Sequence, residues 1–161
     1  MDKPKFVYVT YISTTPEKLW NALADSEMTK DYWARHRNVS DWQVGSEWSH
    51  QDYDTGAVDI VGKVVESDPP RRLVLTWEDG NESLRDEKPS QVTFLVEPIG
   101  DAVRLTVTHD DLAPESRMLR GITAGWPAVL SSLKTILETG EAMPMTKQRR
   151  WNISPERAGA S

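Results

Sequence analysis

The residues of this chain best suited to chemistry are its three histidines and a scattered set of tryptophans. His109 shares strand parity with Val103, Leu105 and Val107. Alternate residues of a strand share a face, so the imidazole is expected on the apolar side. A hydrogen-bonded structural histidine is the plain reading there, and a general base or ligand anchor is the sharper one. His50 keeps parity with Trp48 and is expected to line the same space from another strand. His36, between Arg35 and Arg37, reads as solvated. The histidines are too far apart in sequence for metal spacing, and neither HxxxH nor an acid-flanked pair occurs. Asp52, Asp54 and Asp59 straddle a hairpin turn, and Asp110 and Asp111 lead into the final helix, so both groups read as solvated turn chemistry. No serine stands in a GxSxG or SxxK context, no glycine-rich phosphate loop precedes a helix, and there is no cysteine. No catalytic residue, metal or cofactor is therefore assigned.

Aromatic residues form the other constellation. Trp33, Trp48, Trp77, Phe94 and Trp126 are either core or the wall of a pocket between sheet and helix. With His50 and His109 as polar anchors, they make the candidate ligand-binding set. Apolar walls with few polar groups suit a small hydrophobic or aromatic molecule.

The elements that must position these residues follow from periodicity. From Met118 to Glu138 the residues Met118, Ile122, Trp126, Val129, Leu130, Leu133, Ile136 and Leu137 fall on one helical arc. Beside them run Gly121, Gly125, Ala128 and Ser132, small enough either to close the gap to a neighbour or to keep it open. Pro127 falls on the opposite side, where water can satisfy the carbonyl that loses its donor. Upstream, Phe6 to Ile12 reads as a strand. A helix follows, capped by Thr15 with Pro16 at its first position or by Thr14 with Glu17, and then a short second helix begins near Asp25-Ser26. Strands are expected near Val39–Trp42 and over Glu47–Tyr53, Val58–Glu66, Leu73–Trp77, Val92–Val96 and Val103–His109, with Pro98 ending the fifth of these. Gly80–Ser90 reads as a loop. This order predicts an α+β fold: a curved antiparallel sheet of about seven strands wrapped around a long C-terminal helix, with two short helices between strands 1 and 2. The domain is expected over residues 1–140, with 141–161 as a mobile tail from which Trp151 alone packs back.

Length and charge bound the partners. At 161 residues one core suffices. A net charge of −6 is the wrong sign for binding phosphate backbones, so no nucleic acid is expected. No apolar run is long enough for a membrane span and no signal peptide opens the chain, which makes a cytoplasmic location the default.

Specific residues also carry a resemblance. They are Thr15-Pro16-Glu17 with Leu19-Trp20, Trp33, Asp41 to Gly45 with Trp48, Asp68-Pro69-Pro70-Arg71-Arg72-Leu73 running into Thr76-Trp77, Gln91-Val92-Thr93-Phe94, Arg104-Leu105-Thr106 to His109, and Gly125-Trp126-Pro127-Ala128-Val129-Leu130 with Leu133. In this order the chain resembles the START-like, birch-pollen-allergen-like (SRPBCC) superfamily. Within it, the chain is similar to bacterial proteins like the C-terminal domain of the activator of the ninety-kilodalton heat-shock protein's ATPase. The resemblance covers about Phe6 to Gly140. Gly45-Ser46 departs from the family's paired glycines, and the tail has no counterpart. The resemblance implies a helix-grip fold. It also implies three functions to weigh: capture of a small hydrophobic molecule, contact with a chaperone, and polyketide cyclase or dehydratase chemistry with His109 or His50 as acid or base. A monomer or homodimer is expected.

Overall fold

Thr15 and Pro16 settle how the chain leaves its first strand. β1 (Phe6–Ile12) is followed by α1 (Pro16–Ala24), and the Thr15 hydroxyl accepts from the Lys18 N–H with Pro16 at the first helical position. Asp25 caps α2 (Ser26–Tyr32) in the same way through the Glu27 N–H, and Trp33 closes it. A computed structural model describes residues 3–149, so Trp151 lies outside the described residues. The remaining elements are β2 (His36–Val39), β3 (Glu47–Asp52), β4 (Val58–Asp68), β5 (Arg72–Asp79), β6 (Ser90–Ile99), β7 (Ala102–Asp110) and α3 (Arg117–Thr139). Short 3-10 turns lie at Glu82–Leu84 and Pro144–Lys147.

All seven strands pair antiparallel in one curled sheet, in the order β1-β7-β6-β5-β4-β3-β2. The long helix packs across it, which gives the expected helix-grip architecture. Ile122, Trp126, Val129, Leu130 and Leu133 of α3 are buried, and Met118, Ile136 and Leu137 pack at the margin of the core. Each fully buried apolar side chain contributes about 1.5–3 kcal/mol, so this arc is what holds the helix to the sheet. Pro127 sits within α3 without ending it. Gly62 marks the closest approach in the sheet: a Cβ there would lie 1.9 Å from the Thr76 carbonyl oxygen.

Three expectations need correction. β2 begins at His36, not near Val39. Beyond Val39 the Ser40 hydroxyl accepts from the Trp42 N–H and donates to the Glu47 carbonyl, and Trp42 takes a left-handed φ of 59°, so residues 40–42 turn. β6 runs through Pro98 to Ile99. Its pairing with β5 stops at Leu95, so the proline's missing N–H faces no partner strand on that side. Residues 141–149, read as the start of a mobile tail, lie against the domain. Gly140 ends α3 at φ 87°, a left-handed cap that suits glycine, and the chain turns back. Thr146 is fully buried, with its hydroxyl 2.7 Å from that of Ser132 and 2.9 Å from the Asp31 carbonyl, and its own carbonyl accepts from the Ala34 N–H at 2.9 Å. Ser132 thus receives this segment instead of bordering a space. Among the described residues no helix is long and apolar enough to cross a membrane.

Candidate functional site

Six elements meet at one hollow. Trp33 comes from the end of α2, His50 from β3, Trp77 from β5 and Trp126 from α3, while Asp59 and Ile60 of β4 and His36 of β2 complete the wall. The hollow holds about 240 Å³. Its rings are mutually packed: Trp33 lies 5.1 Å from Trp126, 6.0 Å from Trp77 and 5.0 Å from His50 between centroids, and Trp77 lies 5.5 Å from Trp126. On the helix side, a Cβ placed on Gly121 or Gly125 meets no atom within 4 Å. The small stripe of α3 therefore leaves room at these two positions. A second hollow of about 230 Å³ shares Ile60, Trp77, Gly121 and Ile122 and extends towards Met118.

Of the seven residues singled out from sequence, the structure brings Trp33, His50, Trp77 and Trp126 together around this hollow. The other three lie elsewhere. Phe94 is buried in the core, edge-on to Trp126 at 5.9 Å. Trp48 is buried as well, and its indole N–H donates to the Thr76 carbonyl at 2.7 Å. His109 is wholly buried behind the cavity wall, and both ring nitrogens are used. Its Nδ1 accepts from the Trp126 indole N–H at 3.1 Å, and its Nε2 lies 2.7 Å from the Ser90 hydroxyl, which in turn donates to the Trp77 carbonyl at 3.0 Å. Since the Ser90 proton goes to a carbonyl, Nε2–H of His109 must be the donor to Ser90. The ring is a neutral tautomer fixed from both sides, and burial pushes its pKa down to about 3. His109 positions two tryptophans and does not face the cavity.

The polar part of the wall departs from expectation. His36 is buried, not solvated: its Nδ1 donates to the Ala34 carbonyl at 2.6 Å and its Nε2 lies 2.5 Å from Asp59 Oδ2. Asp59, read as solvated turn chemistry, lies in β4; its side chain is exposed as expected (56%), and its Oδ2 is tied to the cavity wall through His36. The His36 ring stacks on His50 at 4.6 Å with an 11° interplanar angle. His50 Nδ1 donates to Asn38 Oδ1 at 2.6 Å, and Asn38 is itself buried. Nε2 of His50 has no partner among the described residues and is not sealed from the cavity. Burial, followed by the neighbouring His36 ring, holds His50 well below the usual imidazole pKa. Sequence reasoning missed His36, Asn38 and Asp59. The signal available was the two-residue spacing of His36 and Asn38, an inward polar pair legible only once β2 is started at His36. Irregular pairing between His50 and Gln51 bends β3 at the point where it presents this ring. Among the described residues no group of three or more His, Asp or Glu side chains is arranged to hold a metal ion.

Comparison with known proteins follows the same outline. A family described as Activator of Hsp90 ATPase homolog 1-like protein matches residues 13–138. Among solved structures, protein MLL2253 from Mesorhizobium loti is 26% identical with a TM-score of 0.70, over 83% of this chain and 96% of that one. An HSP90 activator from Plasmodium falciparum is 23% identical with a TM-score of 0.68, over 83% and 95% of the two chains. The Aha1 dimer from Colwellia psychrerythraea is 20% identical with a TM-score of 0.69, over 86% and 99%. The last two likenesses show the fold alone. Comparison with curated proteins gives no match. Because the matched span runs from the end of β1 through both short helices and all later strands to the last turn of α3, the chain belongs to the Activator of Hsp90 ATPase homolog 1-like family.

Proposed function

We propose that this domain binds a small hydrophobic or aromatic molecule in the cavity between the sheet and α3, without chemistry of its own. One observation carries the reading: the rings of Trp33, His50, Trp77 and Trp126 surround a single hollow of about 240 Å³, and Gly121 and Gly125 add no side chain to fill it. Concave, mostly apolar sites with a few polar groups are where proteins take up such ligands. Thermal unfolding measured across a panel of lipids and small aromatics tests this. A rise in melting temperature with some members, lost in Gly125→Leu, is expected; a panel that moves nothing overturns the reading.

Chaperone contact is the second reading. The family description favours it, and β1 offers an exposed apolar row of Val7, Val9 and Tyr11, each about half accessible (51%). Stimulation of a purified ninety-kilodalton heat-shock protein's ATPase by this chain, abolished by Val7→Glu with Val9→Glu, would favour it over the cavity. Cyclase or dehydratase chemistry has less support, since both nitrogens of His109 are engaged and His50, held neutral, is a weak proton acceptor.

A further inference from the structure

Three features of the cavity together restrict its occupant. The first is size. An engineered apolar cavity of about 150 Å³ admits benzene, and sites for drug-sized ligands span about 300–1,000 Å³. A hollow of 240 Å³ lies between and suits one or two fused rings.

The second feature is an open acceptor on the aromatic part of the wall. Asn38 Oδ1 takes the Nδ1 proton of His50, which leaves Nε2 as a lone pair facing the hollow with no partner among the described residues. The depressed pKa of this ring keeps that lone pair unprotonated at neutral pH. An apolar occupant covering it would strand a buried acceptor, a loss comparable to a hydrogen bond left unmade.

The third feature is charge. Asp59 is the carboxylate on the wall, and its Oδ2 is engaged by His36 Nε2. A cationic ligand would therefore find only a counter-charge already paired with His36 and screened by water, and an anionic one would meet that same carboxylate. Stacking on tryptophan offsets about 2 kcal/mol or somewhat more of a cation's cost, short of the full loss of its hydration.

Taking the cavity as a ligand site, the reading on which this rests, we infer that the occupant is a flat, uncharged aromatic of one or two rings carrying a hydroxyl or ring N–H, and that this group donates to Nε2 of His50. The adjoining hollow along Gly121 and Met118 is where a substituent on the far side of the rings would lie.

Isothermal titration of the whole chain with matched probes decides it. 2-Naphthol and 2-methylnaphthalene have nearly the same shape and differ in the donor, while 2-naphthoate and tetramethylammonium test charge. Expected is binding of 2-naphthol about tenfold tighter than 2-methylnaphthalene, with no detectable binding of the charged probes. In His50→Phe, checked for folding by circular dichroism, the tenfold preference collapses to parity. If 2-methylnaphthalene binds the unaltered protein as well as 2-naphthol, or if a charged probe binds more tightly, the inferred class is wrong while the cavity reading stands. If none of the four probes binds, both fall. The comparison in the unaltered protein does not depend on the variant folding.

Discussion

The indole N–H of Trp126 donates to Nδ1 of His109 at 3.1 Å, and the two rings meet edge to face at 72°. A helix residue that walls the cavity is thereby aimed by a strand residue behind it. His109 passes the connection on through Ser90 to the carbonyl of Trp77, so the orientation of two cavity tryptophans depends on one imidazole. Replacing it by leucine leaves the Trp126 N–H buried without an acceptor and breaks the link to Ser90. His109→Leu is expected to lower unfolding free energy by about 2–3 kcal/mol. Urea denaturation measures this, and an unchanged midpoint would show that the network contributes nothing.

Stability should fall on mild acidification. The folded state holds His109 at about 3 and His50 well below its ordinary value, while in the unfolded chain both titrate near 6.5. Below that pH the unfolded chain binds protons that the folded one refuses. The stabilisation present above about pH 6.5 is lost as pH falls towards the folded values, at about 1.4 kcal/mol per pH unit for each such histidine. A urea midpoint that stays level between pH 7 and pH 5 would contradict neutral buried imidazoles.

Gly121 and Gly125 give opposite expectations for stability and binding. Both lie inside α3, where glycine costs about 0.8–1 kcal/mol relative to alanine, and a Cβ at either meets no atom within 4 Å. Gly121→Ala should raise the melting temperature by about 2–4 °C. Gly125→Leu adds a side chain next to Trp126 and should abolish ligand uptake while the fold persists. Differential scanning calorimetry checks the first and titration the second.

Trp48 and Trp77 are neighbours at 5.1 Å and should respond differently to the same change. Trp48 donates to the Thr76 carbonyl at 2.7 Å, whereas the indole N–H of Trp77 is buried with no acceptor among the described residues. Trp48→Phe loses volume and strands a carbonyl, at about 3 kcal/mol; Trp77→Phe loses volume but removes an unsatisfied donor, at about 1–2 kcal/mol. Equal costs in chemical denaturation would mean that the indole bonds carry no weight.

Much of the architecture could be read from local pattern. The arc through Ile122, Trp126, Val129 and Leu133 and the alternation of Val103, Leu105, Val107 and His109 each report a buried face through period alone, and both faces are buried as expected. Caps at Thr15 and Asp25 were legible because their hydrogen bonds reach two or three residues. The cavity's aromatic half was visible as residue types. Its polar half was not, because the pairing of His36 with Asp59 spans 23 residues and two strands, and nothing local distinguishes a histidine flanked by arginines from a solvated one. Parity placed His109 on the inward face correctly. It could not say that Trp126 would stand between that ring and the hollow.

The buried hydroxyl of Thr146 ties the last described segment to both Ser132 on α3 and the Asp31 carbonyl on α2, and its carbonyl holds Ala34, the residue after Trp33. The span that defines the family stops at residue 138, short of this tie. A protein that ended at residue 138 would keep all seven strands and all but the last residue of α3, and would still uncouple the turn that sets Trp33. Any truncation or fusion meant to spare the pocket must leave residues 139–149 in place, because the pocket's architecture reaches further than its pedigree does.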